Sequence, residues 1–347
     1  MKPKYLFAIA LFCLVGLPAG LFITAAAQNS STERATNRAS QYRLSGPYTH
    51  KNLTVFLVHG KDQTTKTFLT LQEALAQKKV RVYETKNVNE LSIRNLSNQD
   101  VYVQAGDIVR GGDQDRMISV DFIVPPRSKR MPIEAFCVES GRWHKRGNED
   151  SAAFSSSENF ASSKDLKLAA KSAKSQDAVW QNVGLVQDKL TANTLVEVRA
   201  GVSASSLELS VENAKVKETT AAYINALSGI LRNKNDVIGY VFAINGKVNS
   251  ADIYASRALF VKLWPKLIKA NAVEALAELQ KDLEMKPVSD ETVRTFLAES
   301  EQPAAATKDV TRRVKLVTRE DDKNAFFETQ DREQKDGWVH RNYIKKQ

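Results

Sequence analysis

Residues 106–143 read GDIVRGGDQDRMISVDFIVPPRSKRMPIEAFCVESGRW. Two apolar runs, Met117–Val124 and Met131–Val138, flank a Pro125-Pro126 turn, and each has the length of a strand rather than of a helix. Working outward toward the N-terminus, Leu53–Val58 is a further apolar run suited to a buried strand. Val80–Tyr83, Leu91–Arg94 and Val101–Val103 alternate as half-buried strands do, with Asn95–Asp100 as turn material and Thr70–Lys78 as a short helix. Strands at this spacing predict a β-rich half, built as a sandwich-like or barrel-like sheet.

Past Trp143 the pattern changes. Residues 144–163 are charged and then Ser-rich, which predicts a mobile loop. From Asp165 the period is helical: Ala173, Trp180, Val183, Val186 and Leu190 share a face, and Thr219–Leu231 carries a second stripe. Val237–Ile244 and Lys247–Tyr254 flank Asn245-Gly246, a strong hairpin signal because a type I′ turn needs positive φ at both central residues. A helix from Ser256 follows, with Pro265 expected to kink or divide it, then one over Val273–Leu283 and a short one capped by Ser289. Gln302–Ala306 reads as a linker, and Val310–Val317 with Trp338–Ile344 as a closing strand pair. The expected class is α+β: a β-rich half over 47–143, the loop 144–163, and a helical and hairpin part over 164–344.

At 42% hydrophobic and 26% charged, the chain has the composition of a globular protein. Its formal net charge is +10; Lys2 and Lys4 supply two of these charges, and the remainder favours encounter with anionic partners. Those lysines precede an uncharged stretch, Tyr5–Ala27, which ends in Ala25-Ala26-Ala27. This predicts a signal peptide over 1–27 cleaved near Ala27-Gln28, hence a secreted or periplasmic protein, with an N-terminal membrane anchor as the alternative. Residues 28–46 read as a disordered linker, within a polar tether that runs to His50. With the leader removed, Cys137 is the sole cysteine, so no internal disulfide forms, and its apolar run predicts burial.

Familiar catalytic signatures are missing. The strand and His59-Gly60 resemble the oxyanion loop of an α/β-hydrolase, yet no Gly-x-Ser-x-Gly elbow follows. The four histidines stand far apart, so no metal ligand set is predicted, and neither a P-loop nor a dinucleotide fingerprint is present. Nor is there a specific nucleic-acid motif, and the sequence names no cofactor. What remains lies in the opening stretch. Gly111 and Gly112 permit close backbone approach to an anion, Arg116 and Arg142 offer bidentate contacts to phosphate or carboxylate, and Asp107 and Glu139 are the acid/base candidates. From Arg110 to Arg146 there are eight Lys/Arg against five Asp/Glu, a slight lean toward an anionic ligand.

Residues 106–143, and Phe136–Trp143 above all, resemble the family called the ARG and Rhodanese-Phosphatase-superfamily-associated protein domain. A second match is Ala243–Tyr254 with Leu259–Trp264, a third Leu69–Leu75, and with the strand around His340 the similarity spans about 47–344. Gln114, Asn245 and Asp252 fall in these matches and join the candidate ligand-binding set. The family name records association with ADP-ribosylglycohydrolases and a rhodanese/phosphatase-superfamily protein. Where the family tends to show Glu-Gly-Glu and Gly-Ala-Lys-Gln-Asn-Arg, this chain has Ala105-Gly106-Asp107 and Gly111–Arg116, with Asp113 and Asp115 in place of Lys and Asn. The leading expectation is an exported, non-catalytic binding or interaction module for an anionic small molecule or a protein, reaching a membrane only through an uncleaved leader. The competing one is a hydrolase or transferase on an ADP-ribose-like or nucleotide ligand, which requires Asp107, Arg116, Glu139 and Arg142 to line one concave pocket.

Overall fold

The structure, a computed structural model, describes residues 41–280, 283–334 and 337–347. The leader expected over 1–27, and residues 28–40 of the expected linker, lie outside them. Strand β1 (Arg43–His50) begins inside the stretch read as a tether and turns back into β2 (Leu53–His59). Two residues of β3 (Leu69–Thr70) lead into helix α1 (Leu71–Ala76), closed by a reciprocal capping box between Thr70 and Glu73. Then come β4 (Val80–Asn87), β5 (Glu90–Asn95), β6 (Val101–Val103), β7 (Asp107–Gly111), β8 (Arg116–Ile118), β9 (Phe122–Val124), β10 (Met131–Cys137) and β11 (Ala153–Phe160).

Six of these strands close into a barrel in the order β10-β5-β4-β11-β7-β8. The β-rich half is thus barrel-like, and its closure uses β11, which comes from the region expected to be a mobile loop. The Ser-rich composition misled because Phe154, Ser157 and Phe160 face inward while the residues between them are polar and largely solvent-facing. Strand β6 sits between β3 and β9 in a separate three-stranded sheet.

The helical middle comprises α2 (Lys164–Leu168), α3 (Gln176–Thr194), α4 (Leu207–Val211) and α5 (Ala214–Leu227), with Ser163, Ser175, Ser206 and Asn213 accepting from first-turn amides. The hairpin β12 (Val237–Ile244) and β13 (Lys247–Tyr254) forms as its turn requires, with Asn245 at φ 52° and Gly246 at φ 73°. Helix α6 (Arg257–Ala277) passes through Pro265 undivided and absorbs the start of the separate helix expected from Val273. Pro265 lies on its exposed side, where water can satisfy the carbonyl that loses its partner. Helix α7 (Asp290–Ser300) is capped by Ser289.

The C-terminus holds four strands where two were expected: β14 (Ala305–Asp309), β15 (Val314–Glu320), β16 (Asn324–Asp331) and β17 (Trp338–Lys345). They complete an eight-stranded sheet, β1-β2-β12-β13-β17-β16-β15-β14, in which every neighbouring pair is antiparallel. Every residue of β12 is buried, because the sheet is covered on both faces. Leu53, Val55, Leu57, Tyr240 and Phe242 join the core shared with α6 and the barrel. Phe56, Val58, Val241 and Ile253 face the other way, toward Val293, Phe296 and Leu297 of α7.

Candidate functional site

Strands β7, β8 and β10 gather the side chains of the opening stretch. Arg116 stands opposite Cys137 in the β8–β10 ladder and donates to its Sγ. The same guanidinium donates to Gln114 Oε1 at 3.3 Å and lies 3.5 Å from Glu84 Oε2, with 1% of the Arg116 side chain exposed. Burial pushes the Cys137 thiol up to about 11, against the pull of Arg116, so the sulfur is a protonated, enclosed group at neutral pH. Gln176 brackets the Cys137 backbone, accepting from its N–H at 2.8 Å and donating to its carbonyl at 2.9 Å.

Beside this lies a network of buried ion pairs. Arg142 Nη2 is 2.7 Å from Glu139 Oε2 and 3.5 Å from Asp115 Oδ1, while Nη1 donates to the carbonyls of Gly112 and His144. Arg146 closes the far side, 3.0 Å from Asp115 Oδ2 and 2.8 Å from Glu149 Oε1. Burial raises Asp115 to about 6, with Arg146 opposing and Glu139 reinforcing the shift. For Glu139 the balance reverses: hydrogen bonds from Arg142 and Ser203 outweigh burial and leave its carboxyl below the usual range. Gly111 and Gly112, at φ 125° and 55°, let β11 approach; a Cβ on Gly112 would stand 2.5 Å from the Phe154 ring.

The remaining candidates are placed elsewhere. Asp107, also buried, accepts from Lys266 Nζ at 2.7 Å and from the Gln104 N–H at 2.9 Å. Asp252 accepts from Tyr240 and Asn342 and lies 3.0 Å from His340 Nε2, while His340 Nδ1 lies 2.6 Å from Asp121. Asn245 serves the hairpin, its side chain joined to Asn52 at 3.1 Å and to the Glu278 carbonyl at 2.6 Å. Glu139 and Arg142 are therefore paired in the loop just past β10, near Arg116 in the barrel strand β8, while Asp107 is tied to α6 and Asp252 to the sheet interior. Each is held by protein partners, although Gln114 Nε2, Arg116 Nε and Arg142 Nε are buried without a hydrogen-bond partner.

A different set of residues opens to solvent. At the end of the eight-stranded sheet a cleft of about 790 Å³ is lined by Tyr42, Arg43, His59, Lys61, Trp338 and Arg341, among others. Its lining carries three cations against one carboxylate, Asp236. Arg341 stacks on the Trp338 ring at 4.0 Å and donates to the Tyr42 hydroxyl. His59, 4% exposed, lies 2.8 Å from Asp236 Oδ1 through Nδ1 and 2.7 Å from Ser45 Oγ through Nε2. Arg43 Nη2 lies 2.6 Å from both His59 Nδ1 and Asp236 Oδ2. The His59 ring, and after it Arg43, holds the Asp236 carboxyl below its ordinary value. Sequence reasoning singled out His59-Gly60 but missed Ser45, which lies in the presumed tether, and Asp236, 177 residues from His59.

Among the described residues no group of three or more His, Cys, Asp or Glu is arranged to hold a metal ion, and no helix is long and apolar enough to cross a membrane. A family model described as the ARG and Rhodanese-Phosphatase-superfamily-associated Protein domain matches residues 41–344. No curated protein and no solved structure matches the chain.

Proposed function

The chain belongs to the ARG and Rhodanese-Phosphatase-superfamily-associated Protein domain family, and we propose that it acts as an exported binding module for an anionic ligand. The ligand site is the cleft at the sheet end, and the observation that carries this reading is its lining. Three cations and two aromatic rings converge there on one open concavity. Arg43 and Lys61 are exposed and able to turn toward a ligand, and the Trp338 ring, stacked on the buried Arg341 that pairs with Glu328, offers a flat wall. This suits a carboxylate or phosphate attached to a planar body. The Gly106–Trp143 stretch supports the same reading indirectly: Arg116 and Arg142 are buried against internal carboxylates, whereas Arg43 and Lys61 of the cleft are exposed. Export rests on the leader sequence.

Thermal melts of the full chain with ADP-ribose, AMP, 4-nitrobenzoate and the neutral 4-nitrobenzamide test the proposal. At a hundredfold its dissociation constant, a bound anion stabilises the fold by about 2.7 kcal/mol. The double substitution Arg43→Ala, Lys61→Ala removes that shift, and the neutral amide gives none. Equal melting temperatures with and without all three anions would sink the proposal.

A further inference from the structure

We infer that Ser45, His59 and Asp236 form a hydrolytic relay beside this cleft, directed at a carboxylic ester that carries an anionic group. The substrate class rests on the anion-binding reading of the cleft; the relay rests on its own geometry. A hydroxyl, an imidazole and a carboxylate stand in line, with the nucleophile–base distance at 2.7 Å and the base–orienter distance at 2.8 Å. That is the arrangement by which unrelated folds activate serine.

The position of the relay separates it from structural polar clusters in the same chain. His340 is enclosed between Asp121 and Asp252, so both its nitrogens face carboxylates and neither can take a proton from a nucleophile. His59 offers one nitrogen to a carboxylate and the other to a hydroxyl. Ser45 is half-buried on the edge strand β1, and 53% of the Asp236 side chain is exposed. The linked groups therefore reach solvent at both ends.

Arg43 ties the relay to charge. With Asp236 accepting from Nδ1–H, Nε2 keeps its lone pair and accepts the Ser45 proton. Arg43, at 2.6 Å from the same Nδ1, favours the opposite tautomer, in which Nε2–H donates to Ser45 and silences it. An anionic substrate that draws Arg43 onto itself leaves Asp236 as the partner of Nδ1 and selects the active tautomer.

The chemistry balances with water as co-reactant. Ser45 Oγ bonds to the ester carbonyl carbon while its proton passes to His59 Nε2. The imidazolium, held by Asp236, returns that proton to the departing alkoxide as the ester C–O bond breaks. Water then attacks the acyl-serine with His59 again taking and giving the proton, which releases the acid and restores Ser45. The Tyr48 hydroxyl donates to Ser45 Oγ at 3.5 Å and helps orient the serine toward His59.

The test uses the full chain, a fluorophosphonate probe with peptide mapping, and two esters: anionic mono-4-nitrophenyl succinate and neutral 4-nitrophenyl acetate. Labelling is expected at Ser45. Succinate ester hydrolysis is expected to fall about a hundredfold or more in Ser45→Ala. Asp236→Asn, which alters a positioning residue, is expected to lower the rate and shift its pH profile. Arg43→Ala is expected to narrow the preference for the anionic ester. If Ser45→Ala still shows the anion-induced thermal shift but the wild type neither labels nor turns over, the relay is overturned while the binding reading stands. Should Ser45→Ala fail to fold, Ser45→Cys is alkylated by iodoacetamide below pH 7 if His59 activates the thiol; reaction no faster than that of the unfolded chain overturns the relay.

Discussion

Lys266 Nζ lies 2.7 Å from Asp107 Oδ1, with both side chains buried, and the pair fastens the barrel strand β7 to helix α6. Removing one member strands a charge. Asp107→Asn or Lys266→Met is therefore expected to cost about 3–5 kcal/mol, read as a lowered denaturant midpoint. Replacing both by apolar residues of similar size should recover most of the loss. An Asp107→Asn protein as stable as the wild type would show that the pair contributes nothing.

His340 supplies a pH dependence of stability. Burial disfavours its charged form, but Asp121 and Asp252 outweigh burial and raise its pKa. A raised folded-state value means that its contribution is complete below the ordinary histidine pKa of about 6.5 and is lost as pH rises through the raised value. Urea midpoints should accordingly decline above neutrality in the wild type, and His340→Gln should flatten that decline. A parallel decline in the variant would assign it to other groups.

Asp115 acts in the same direction in a more acidic window. With its carboxyl raised to about 6, its contribution is present below the ordinary value and fades as pH climbs to about 6. Asp115→Asn should therefore remove a fall in stability between about pH 4 and 7. Arg142→Ala should be far more damaging, by about 3–5 kcal/mol, because Glu139 and Asp115 both lose a buried partner.

Cys137 should be inert. The buried, protonated thiol should resist thiol-reactive disulfide reagents at pH 8 in the folded chain and react promptly once urea exposes it. Fast reaction of native protein would place the sulfur in an accessible, thiolate-stabilising setting instead.

Local rules explain what the sequence disclosed. The Asn245-Gly246 turn, the Ser289 cap and the central apolar strands are written in neighbouring residues, and all of them form. What stayed hidden depends on distant partners. Strand β11 reads as a loop because half its residues face solvent, and β16 (NAFFETQD) shows no clean alternation because the sheet buries both faces. The candidate site divides the same way. Glu139 and Arg142 are three residues apart, so their pairing was foreseeable, whereas Ser45, His59 and Asp236 meet only because β1 folds back on β2 and the chain returns at β12.

That return has a consequence for how the chain is made. Asn52 meets Asn245 across 193 residues of sequence, whereas the barrel strands all lie between Val80 and Phe160. At ribosomal rates of about 5–20 residues per second, β2 waits roughly 10–40 s for its neighbour to be synthesised. Through that interval β1 and β2 form at most an isolated hairpin, which is marginal in water, while every strand of the barrel is already available. The barrel can thus be complete well before the large sheet has its centre. The sheet-end cleft, with Arg43 and His59 on its first two strands, comes together only when the last strand, Trp338–Lys345, has been added.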